Sequence, residues 1–271
     1  MALELIKALV IGIVEGITEW LPVSSTGHMI LLDEVLRLDV TPQFREMFLV
    51  VVQLGAVLAV AVTFFKRLFP FYPGYSKEER RGIWSLWSKI IIACLPAAVI
   101  GIFFDDKIDA LFYNWQTVAA ALFFYGLVFI VIEKTARKAP KITTTDGITY
   151  KTALLIGVFQ LLSLIPGTSR SGATIIGAML LGASRVAATE FTFFLALPVM
   201  AGASLVKLLK FGFAFTGTEA AILLVGAAAA FIVSVVAIKF LTGFVKKHSF
   251  FWFGVYRVVL GVAVVLFFML V

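Results

Sequence analysis

The sequence predicts an all-α polytopic membrane protein, built as an inverted-topology repeat with six full spans and two re-entrant helical hairpins. The 271 residues are 61% hydrophobic with a mean hydropathy of +1.04, more apolar than a soluble core requires. Several uncharged runs approach the roughly 20 residues that a bilayer crossing needs. Two polar segments broken by Pro and Gly interrupt other apolar stretches at matching places in two halves of the chain.

Six runs are long enough to span a membrane, because lysines near the ends of some can extend them by snorkelling. They cover residues 47–65, 90–104, 110–132, 191–206, 220–238 and 250–271. The last run contains Arg257, for which an interfacial position and a place in a site are both open. Residues 2–36 and 151–184 each have the pattern helix, polar break, helix, so we interpret them as the two hairpins.

Matching spacings indicate two internal repeats, about 1–140 and 145–271, within a single integral membrane domain, 1–271. Pairs 144 positions apart are Pro22 with Pro166, Glu46 with Glu190, and Lys66 with Lys210. Gly27 and Gly172 are 145 apart, which predicts one inserted residue in the second motif, placed at Arg170.

Charge predicts the orientation of the chain in the membrane. The loops 66–89 and 134–151 and the pair Lys246 and Lys247 are basic, whereas the predicted loop 105–109 is acidic. Basic loops stay in the cytoplasm, which puts both termini outside and makes the hairpins enter from opposite sides. The net charge of +7 is thus a feature of loops, and no nucleic-acid partner is expected.

Glu15 and Glu19 are four residues apart on the first hairpin helix and therefore share one face. A carboxylate buried in a membrane costs several kcal/mol unless it is paired or binds a cation. Two such groups can hold Mg²⁺ or Ca²⁺ if a phosphate supplies other ligands. The alternative is that both are solvated at the interface.

The hydroxyl-rich part of the first motif precedes a second apolar helix and consists of Ser24, Ser25 and Thr26. These side chains can cap that helix only, or can form an anion site with its free N–H groups. His28 follows Ser25 by three residues, so the two can pair on a helix. Ser25, His28 and a carboxylate have the parts of an activated nucleophile. His248 lies in a basic loop and is interpreted as a loop residue without a role in the site.

Arg170 lies in the second motif, and an arginine inside a membrane hairpin needs an anion, which can be a phosphate. The hydroxyls that can assist it at a helix N-terminus are Ser169, Ser171 and Thr174. The alternative is a structural pair between Arg170 and a glutamate of the first hairpin. Gln160 aligns with Glu15 in the repeat. Arg185 and Glu190 flank the next helix. They could form an ion pair in a loop or take part in the site, and both interpretations stay open.

Carboxylates, a Ser–His pair and an arginine inside a bilayer suit phosphoryl transfer on a membrane-embedded substrate. A transporter or flippase of a phosphorylated polyprenyl lipid fits nearly as well, because matched helix breaks are typical of transporters. Only the nucleophile–base pair discriminates between the two. A purely structural scaffold is disfavoured, because buried ionisable groups are costly.

Residues 15–28 (EGITEWLPVSSTGH) resemble the first signature of the bacterial undecaprenyl-diphosphatases, the bacitracin-resistance family, and residues 166–174 (PGTSRSGAT) resemble the second. The resemblance extends over essentially the whole chain. It implies hydrolysis of undecaprenyl diphosphate to the monophosphate and inorganic phosphate, which recycles the lipid carrier of peptidoglycan synthesis. It also implies a divalent cation and a site facing the outer side of the bacterial cytoplasmic membrane. The glycine-rich helices permit a homodimer.

The resemblance also assigns roles to residues. Glu15 and Glu19 would bind the cation or orient His28, and Ser25 would be the nucleophile or a phosphate contact. His28 would act as base or acid, and Arg170 would clamp the diphosphate. Further substrate contacts would come from Ser24, Thr26, Gly27, Ser169, Ser171 and Thr174. A phosphoserine intermediate and direct attack by a metal-bound water both remain open.

Overall fold

The structure, a computed structural model, describes residues 1–135 and 139–270, apart from the side chains at 102, 105, 106 and 109. Over these residues the regular structure is helical, with one isolated β-bridge between Ile142 and Ala183. The α-helices are α1 (Ala2–Thr18), α2 (Ser25–Leu36), α3 (Pro42–Val51), α4 (Gln53–Thr63), α5 (Phe65–Leu68), α6 (Lys77–Phe112), α7 (Trp115–Thr135), α8 (Tyr150–Gln160), α9 (Arg170–Leu180), α10 (Arg185–Phe211), α11 (Gly217–Phe244) and α12 (Phe251–Leu270). A 3₁₀ turn, Leu161–Leu164, extends α8.

The prediction of an all-α polytopic membrane protein is confirmed. In the described part of the chain, six helical segments are long and apolar enough to cross a membrane: Pro42–Thr63, Lys77–Gly101, Trp115–Thr135, Arg185–Phe211, Gly217–Phe244 and Phe251–Leu270. Each overlaps one of the six predicted spans. The prediction of a loop at 105–109 is wrong, because α6 continues through it to Phe112. In the basic loop 134–151, Arg137 and Lys138 lie outside the described residues.

Each predicted hairpin is a pair of helices in contact across a break. The pair α1 and α2 is interrupted between Thr18 and Ser25, and α8 and α9 are interrupted before Arg170. How deeply these hairpins enter the membrane stays a prediction.

The two breaks end in the same unusual backbone conformation. Ser24 and Ser169 have φ of 73° and 72°, although neither is glycine, and each caps the helix that follows. Their hydroxyls accept the N–H groups of Gly27 at 3.3 Å and Gly172 at 3.1 Å. Ser24 therefore matches Ser169, and the inserted residue precedes the cap. The predicted insertion at Arg170 is wrong, because Arg170 is the first residue of its helix.

Corresponding helices of the two halves exchange contacts: α1 lies against α11, and α8 lies against α6. The close approach depends on matching glycines. A Cβ added to Gly12 would lie 2.2 Å from the carbonyl oxygen of Gly226, and one added to Gly157 would lie 2.2 Å from that of Ala93. Small residues at such crossings let helix backbones touch. The α1 and α8 helices, which carry Glu15 and Gln160, are therefore each fixed against a long span.

Two ion pairs show that the span α3–α4 runs antiparallel to α10. Glu190, near the start of α10, binds Arg67, just beyond the end of α4, at 2.6 Å. Glu46, near the start of α3, binds Lys207, near the end of α10, at 2.5 Å. An inverted repeat would have this antiparallel arrangement, but the repeat itself and the assignment of membrane sides stay predictions.

Candidate functional site

The two motifs lie side by side, and Arg257 of α12 joins them. This arginine is fully buried, and its two terminal nitrogens donate to the carbonyl oxygens of Pro22 at 3.4 Å and Gly167 at 2.9 Å. The Ser171 hydroxyl also reaches the first motif, 3.1 Å from the carbonyl oxygen of Glu19. The interfacial position considered for Arg257 is therefore wrong, since its guanidinium ties two chain breaks together inside the protein.

Glu19 is the centre of the contacts between the motifs. Its Oε2 accepts the hydroxyl of Ser25 at 2.8 Å. Its Oε1 accepts Nε and Nη2 of Arg170 at 3.2 and 3.0 Å. The side chains of Arg170 and Glu19 are only 10% and 7% exposed. Arg170 also donates to the carbonyl of Thr192 and lies over the ring of Trp20. The pair between Arg170 and a first-hairpin glutamate, considered as the structural alternative, is present, and its carboxylate also binds a serine hydroxyl.

The predicted side-chain pair between Ser25 and His28 is wrong. Nδ1 of His28 lies 2.8 Å from the carbonyl oxygen of Ser24, and Nε2 lies 2.7 Å from the hydroxyl of Tyr256. The rings of His28 and Tyr256 stack with centroids 5.7 Å apart. Both ring nitrogens are thus engaged, and the Ser25 hydroxyl is directed to Glu19 instead. The catalytic role expected for His28 stays a prediction.

Glu15 is fully buried, so the alternative of a solvated interfacial carboxylate is wrong. Within the described part of the chain, neither of its carboxylate oxygens has a hydrogen-bond partner. A buried carboxyl group without donors requires a cation or a proton, because ionised burial is otherwise too costly. Gln160 is 1% exposed, and its amide atoms are also without partners among the described residues.

The carboxylates fit a cation that the substrate helps to bind. Among the side chains that the structure describes, no group of three or more His, Cys, Asp or Glu could hold a metal by itself. Mg²⁺ is commonly bound by one or two carboxylates together with substrate phosphates and water. Glu15 and Glu19 provide that number of carboxylates.

The other predicted substrate contacts are bonded to protein atoms in this structure. Ser169 accepts from the Gly172 N–H and lies 3.2 Å from the Ser171 hydroxyl. Buried Thr174 donates to the Arg170 carbonyl and accepts from Thr192 at 2.9 Å. These contacts fix the start of α9 and the arginine on it.

In the first motif the remaining predicted contacts are Ser24, Thr26 and Gly27. The Ser24 side chain caps α2 and is buried, whereas Thr26 is half-buried. Gly27 is buried against Leu122, and a Cβ added to Gly27 would lie only 3.0 Å from the Leu122 side chain. A role of these residues in substrate binding stays a prediction.

A groove of about 530 Å³ opens beside His28. Apart from Thr18 and the polar ends of His28 and Tyr256, its lining is apolar or aromatic. The lining residues are Ile17, Thr18, Leu21, Val23, His28, Phe240, Phe244, Trp252, Phe253 and Tyr256. An apolar groove of this kind suits the apolar part of a ligand.

Sequence reasoning missed Tyr256 and Thr192 as neighbours of the site. A tyrosine in an apolar span is commonly an interfacial anchor, so the pattern held no signal for Tyr256. Arg185 and Glu190 lie in separate ion pairs, with Glu133 and Arg67, and neither pair includes a residue of the two motifs.

The chain matches known proteins over almost its whole length. The family model described as "Bacitracin resistance protein BacA" matches residues 8–263. The chain is 56% identical to undecaprenyl-diphosphatase 1 of Clostridium acetobutylicum over 271 residues, with 99% of each chain covered. It is 57% identical to the undecaprenyl-diphosphatase of Acetivibrio thermocellus, again with 99% of each covered. It is 57% identical to that of Enterococcus faecalis, with 94% of each covered. The chain belongs to the bacitracin resistance protein BacA family.

Proposed function

We propose that this membrane protein hydrolyses undecaprenyl diphosphate to undecaprenyl phosphate and inorganic phosphate. The observation that carries the proposal is the contact of Ser25 with Glu19, which Arg170 binds from the other side. These contacts bring together a hydroxyl, a carboxylate that can accept a proton and a guanidinium that can bind phosphate. The choice of undecaprenyl diphosphate as the substrate rests on the relatives that are named undecaprenyl-diphosphatase. In the cell the reaction would recycle the lipid carrier of peptidoglycan synthesis.

The chemistry assigns one role to each member of this cluster. Glu19 accepts the proton of Ser25 as Oγ bonds to the terminal phosphorus, and the bond from that phosphorus to the bridging oxygen breaks. Undecaprenyl phosphate leaves, and water then releases phosphate from the serine. In the alternative, Glu19 takes its proton from the attacking water and Ser25 only contacts the phosphate. Arg170 stabilises the phosphoryl charge in both schemes.

A divalent cation, Mg²⁺ or Ca²⁺, is part of the proposal, with Glu15 and Glu19 as its protein ligands. The unpartnered oxygens of buried Glu15 support this assignment. When bound, the cation would neutralise charge on the diphosphate oxygens.

The groove beside His28 supports a lipid substrate, because its lining is almost wholly apolar and includes His28, whose ring is bonded to the carbonyl of Ser24, the residue before Ser25. Location in the bacterial cytoplasmic membrane, with the site open to the outer side, is also proposed, on the basis of the loop charges and the family resemblance. A homodimer stays a prediction, which molecular-mass measurement in detergent would test.

A transporter of phosphorylated polyprenyl lipids is the competing function. Such a protein needs Arg170 and helix N-termini for the anion, but it has no use for a hydroxyl bound to a buried carboxylate. The contact between Ser25 and Glu19 therefore favours hydrolysis.

The test is phosphate release from a long-chain polyprenyl diphosphate by purified protein in detergent, where no second compartment exists. We expect release by the wild type and a collapse in Ser25→Ala. Ser204→Ala, which removes a buried hydroxyl bonded to the Val50 carbonyl in another span, is the matched control. Lipid binding without any release by folded wild-type protein would overturn hydrolysis in favour of transport.

A further inference from the structure

We propose that His28 acts as a positioning residue, holding the backbone carbonyl of Ser24 through Nδ1–H while Tyr256 fixes the opposite nitrogen of the ring. In this arrangement His28 keeps Ser25 directed at Glu19 and does not itself take the serine proton. The inference rests on the proposed function, since it concerns how the nucleophile of that reaction is held.

The hydrogen bonds of the imidazole assign its protons. The carbonyl oxygen of Ser24 can only accept, so Nδ1, at 2.8 Å, must carry a hydrogen whether the ring is neutral or charged. In the neutral ring the lone pair is on Nε2, where the Tyr256 hydroxyl donates at 2.7 Å. The nitrogen that can act as a base therefore faces Tyr256, whereas the serine hydroxyl faces Glu19.

The matching position of the second motif shows what the Nδ1–H group does. There the carbonyl of the cap, Ser169, accepts the backbone N–H of Ala173 at 2.9 Å. His28 occupies the position equivalent to Ala173, four residues after the cap, and bonds the equivalent carbonyl of Ser24 with its side chain. The histidine side chain thus makes in one motif the contact that the backbone makes in the other.

Ser24 is a residue whose conformation needs such support. A non-glycine residue at φ 73° is strained and persists only when its surroundings hold it in place. The next residue is Ser25, so any relaxation of the backbone at Ser24 turns Oγ of Ser25 away from Glu19. The neighbouring Arg257 holds Pro22, and therefore α12 braces the first motif at two points, through residues 256 and 257.

Replacements of His28 distinguish the hydrogen bond made by its Nδ1 from the one made by its Nε2. Asparagine places an amide nitrogen near the position of Nδ1, whereas glutamine places one near Nε2. We expect phosphate release by His28→Asn to stay within about tenfold of wild type, the value of one ordinary hydrogen bond. We expect His28→Gln and His28→Ala to lose ~100-fold, mainly in kcat, because a buried carbonyl is left without a donor. His28→Asn as inactive as His28→Ala, in protein that remains folded, would overturn the inference.

A spectroscopic measurement reads the tautomer without activity. The chain has two histidines, so ¹⁵N-histidine labelling gives two imidazoles, and His248→Asn assigns them. We expect His28 to be protonated at Nδ1, with an Nε2 resonance that moves in Tyr256→Phe. Tyr150→Phe, which loses a hydroxyl bonded to Ser88 elsewhere, is the matched control and should leave it unchanged. An unprotonated Nδ1, or an Nε2 resonance indifferent to Tyr256→Phe, would contradict the inference.

The two hypotheses fail differently. Wild-type protein that releases no phosphate would refute the proposed function, while the ¹⁵N resonances would still report the tautomer. Active wild-type protein with the wrong tautomer would refute only the role given to His28.

Discussion

The hydroxyl of Ser25 lies 2.8 Å from Oε2 of Glu19, and the same carboxylate binds Arg170 through its other oxygen. The proton acceptor bonded to the serine hydroxyl is therefore a buried carboxylate. Because both motifs contribute to this cluster, neither hairpin can form it alone. The arrangement makes the activity sensitive to each of the three residues and to the contacts that hold the motifs together.

Glu19→Gln should abolish most activity, because an amide cannot take the serine proton and cannot pair with the charge of Arg170. General-base catalysis is worth about 10²–10⁴-fold, so kcat should fall by that factor. Phosphate release in detergent measures it. Glu219→Gln, in an exposed capping box at the start of α11, is the control. A Glu19→Gln variant within a few-fold of wild type would remove Glu19 from the role of base.

Arg170→Lys keeps the charge but loses the planar fork. If the guanidinium binds phosphate, we expect kcat/KM to fall by about 1–3 kcal/mol of transition-state stabilisation. Arg45→Lys, at a partly exposed pair with Asp33, should have no such effect. Near-wild-type activity of Arg170→Lys would exclude Arg170 from phosphate binding.

Arg257→Met should loosen the junction of the two motifs. The carbonyls of Pro22 and Gly167 would each lose a donor inside the protein, at a cost of ~2 kcal/mol or more in the free energy of unfolding. Thermal unfolding in detergent measures this, with exposed Arg37→Met as the comparison. Unchanged stability together with unchanged activity would show that the two carbonyls do not need Arg257.

Gly12→Ala should destabilise the protein, because the new Cβ would lie 2.2 Å from the carbonyl oxygen of Gly226 and must push α1 away from α11. Overpacking of this kind costs about 1–3 kcal/mol. Gly202→Ala, in a long helix where a Cβ meets nothing within 4 Å, should be neutral or stabilising. Equal melting temperatures for the two variants would contradict the close approach of α1 and α11.

Removal of divalent cations should lower phosphate release, and readdition of Mg²⁺ or Ca²⁺ should restore it. Glu15→Gln should raise the cation concentration needed for half-maximal activity by roughly tenfold or more, because one carboxylate of the site is lost. Titration of activity against free Mg²⁺ measures this shift. Full activity in chelator would refute a cation requirement, and an unchanged titration in Glu15→Gln would remove Glu15 from the site.

The six spans and the two helix breaks were predictable from sequence, because bilayer crossing imposes length and polarity on a segment by itself. The residue types of the cluster were predictable for a similar reason, since Glu19 and Arg170 are too costly in a membrane without a partner. Their pairing was foreseen only as an alternative. The bonding partners of the Ser25 hydroxyl and of the two His28 ring nitrogens were not predictable, because side-chain directions depend on the strained caps at Ser24 and Ser169.

Arg257 shows where pattern reasoning ends. A single charge in an apolar span has two solutions, the interface or a buried partner, and the sequence holds nothing to choose between them. The partners turned out to be backbone carbonyls of Pro22 and Gly167, which have no signature in residue type. The loop predicted at 105–109 failed for a related reason, since charged residues can also lie on the last turns of a helix that continues beyond its span.

The most direct test of the account is phosphate release from a long-chain polyprenyl diphosphate by the purified protein in detergent, with and without Mg²⁺ or Ca²⁺, beside Ser25→Ala and Glu19→Gln. We expect cation-dependent release by the wild type that collapses in both variants. Folded wild-type protein that binds the lipid and releases no phosphate, or release that persists in both variants, would contradict it.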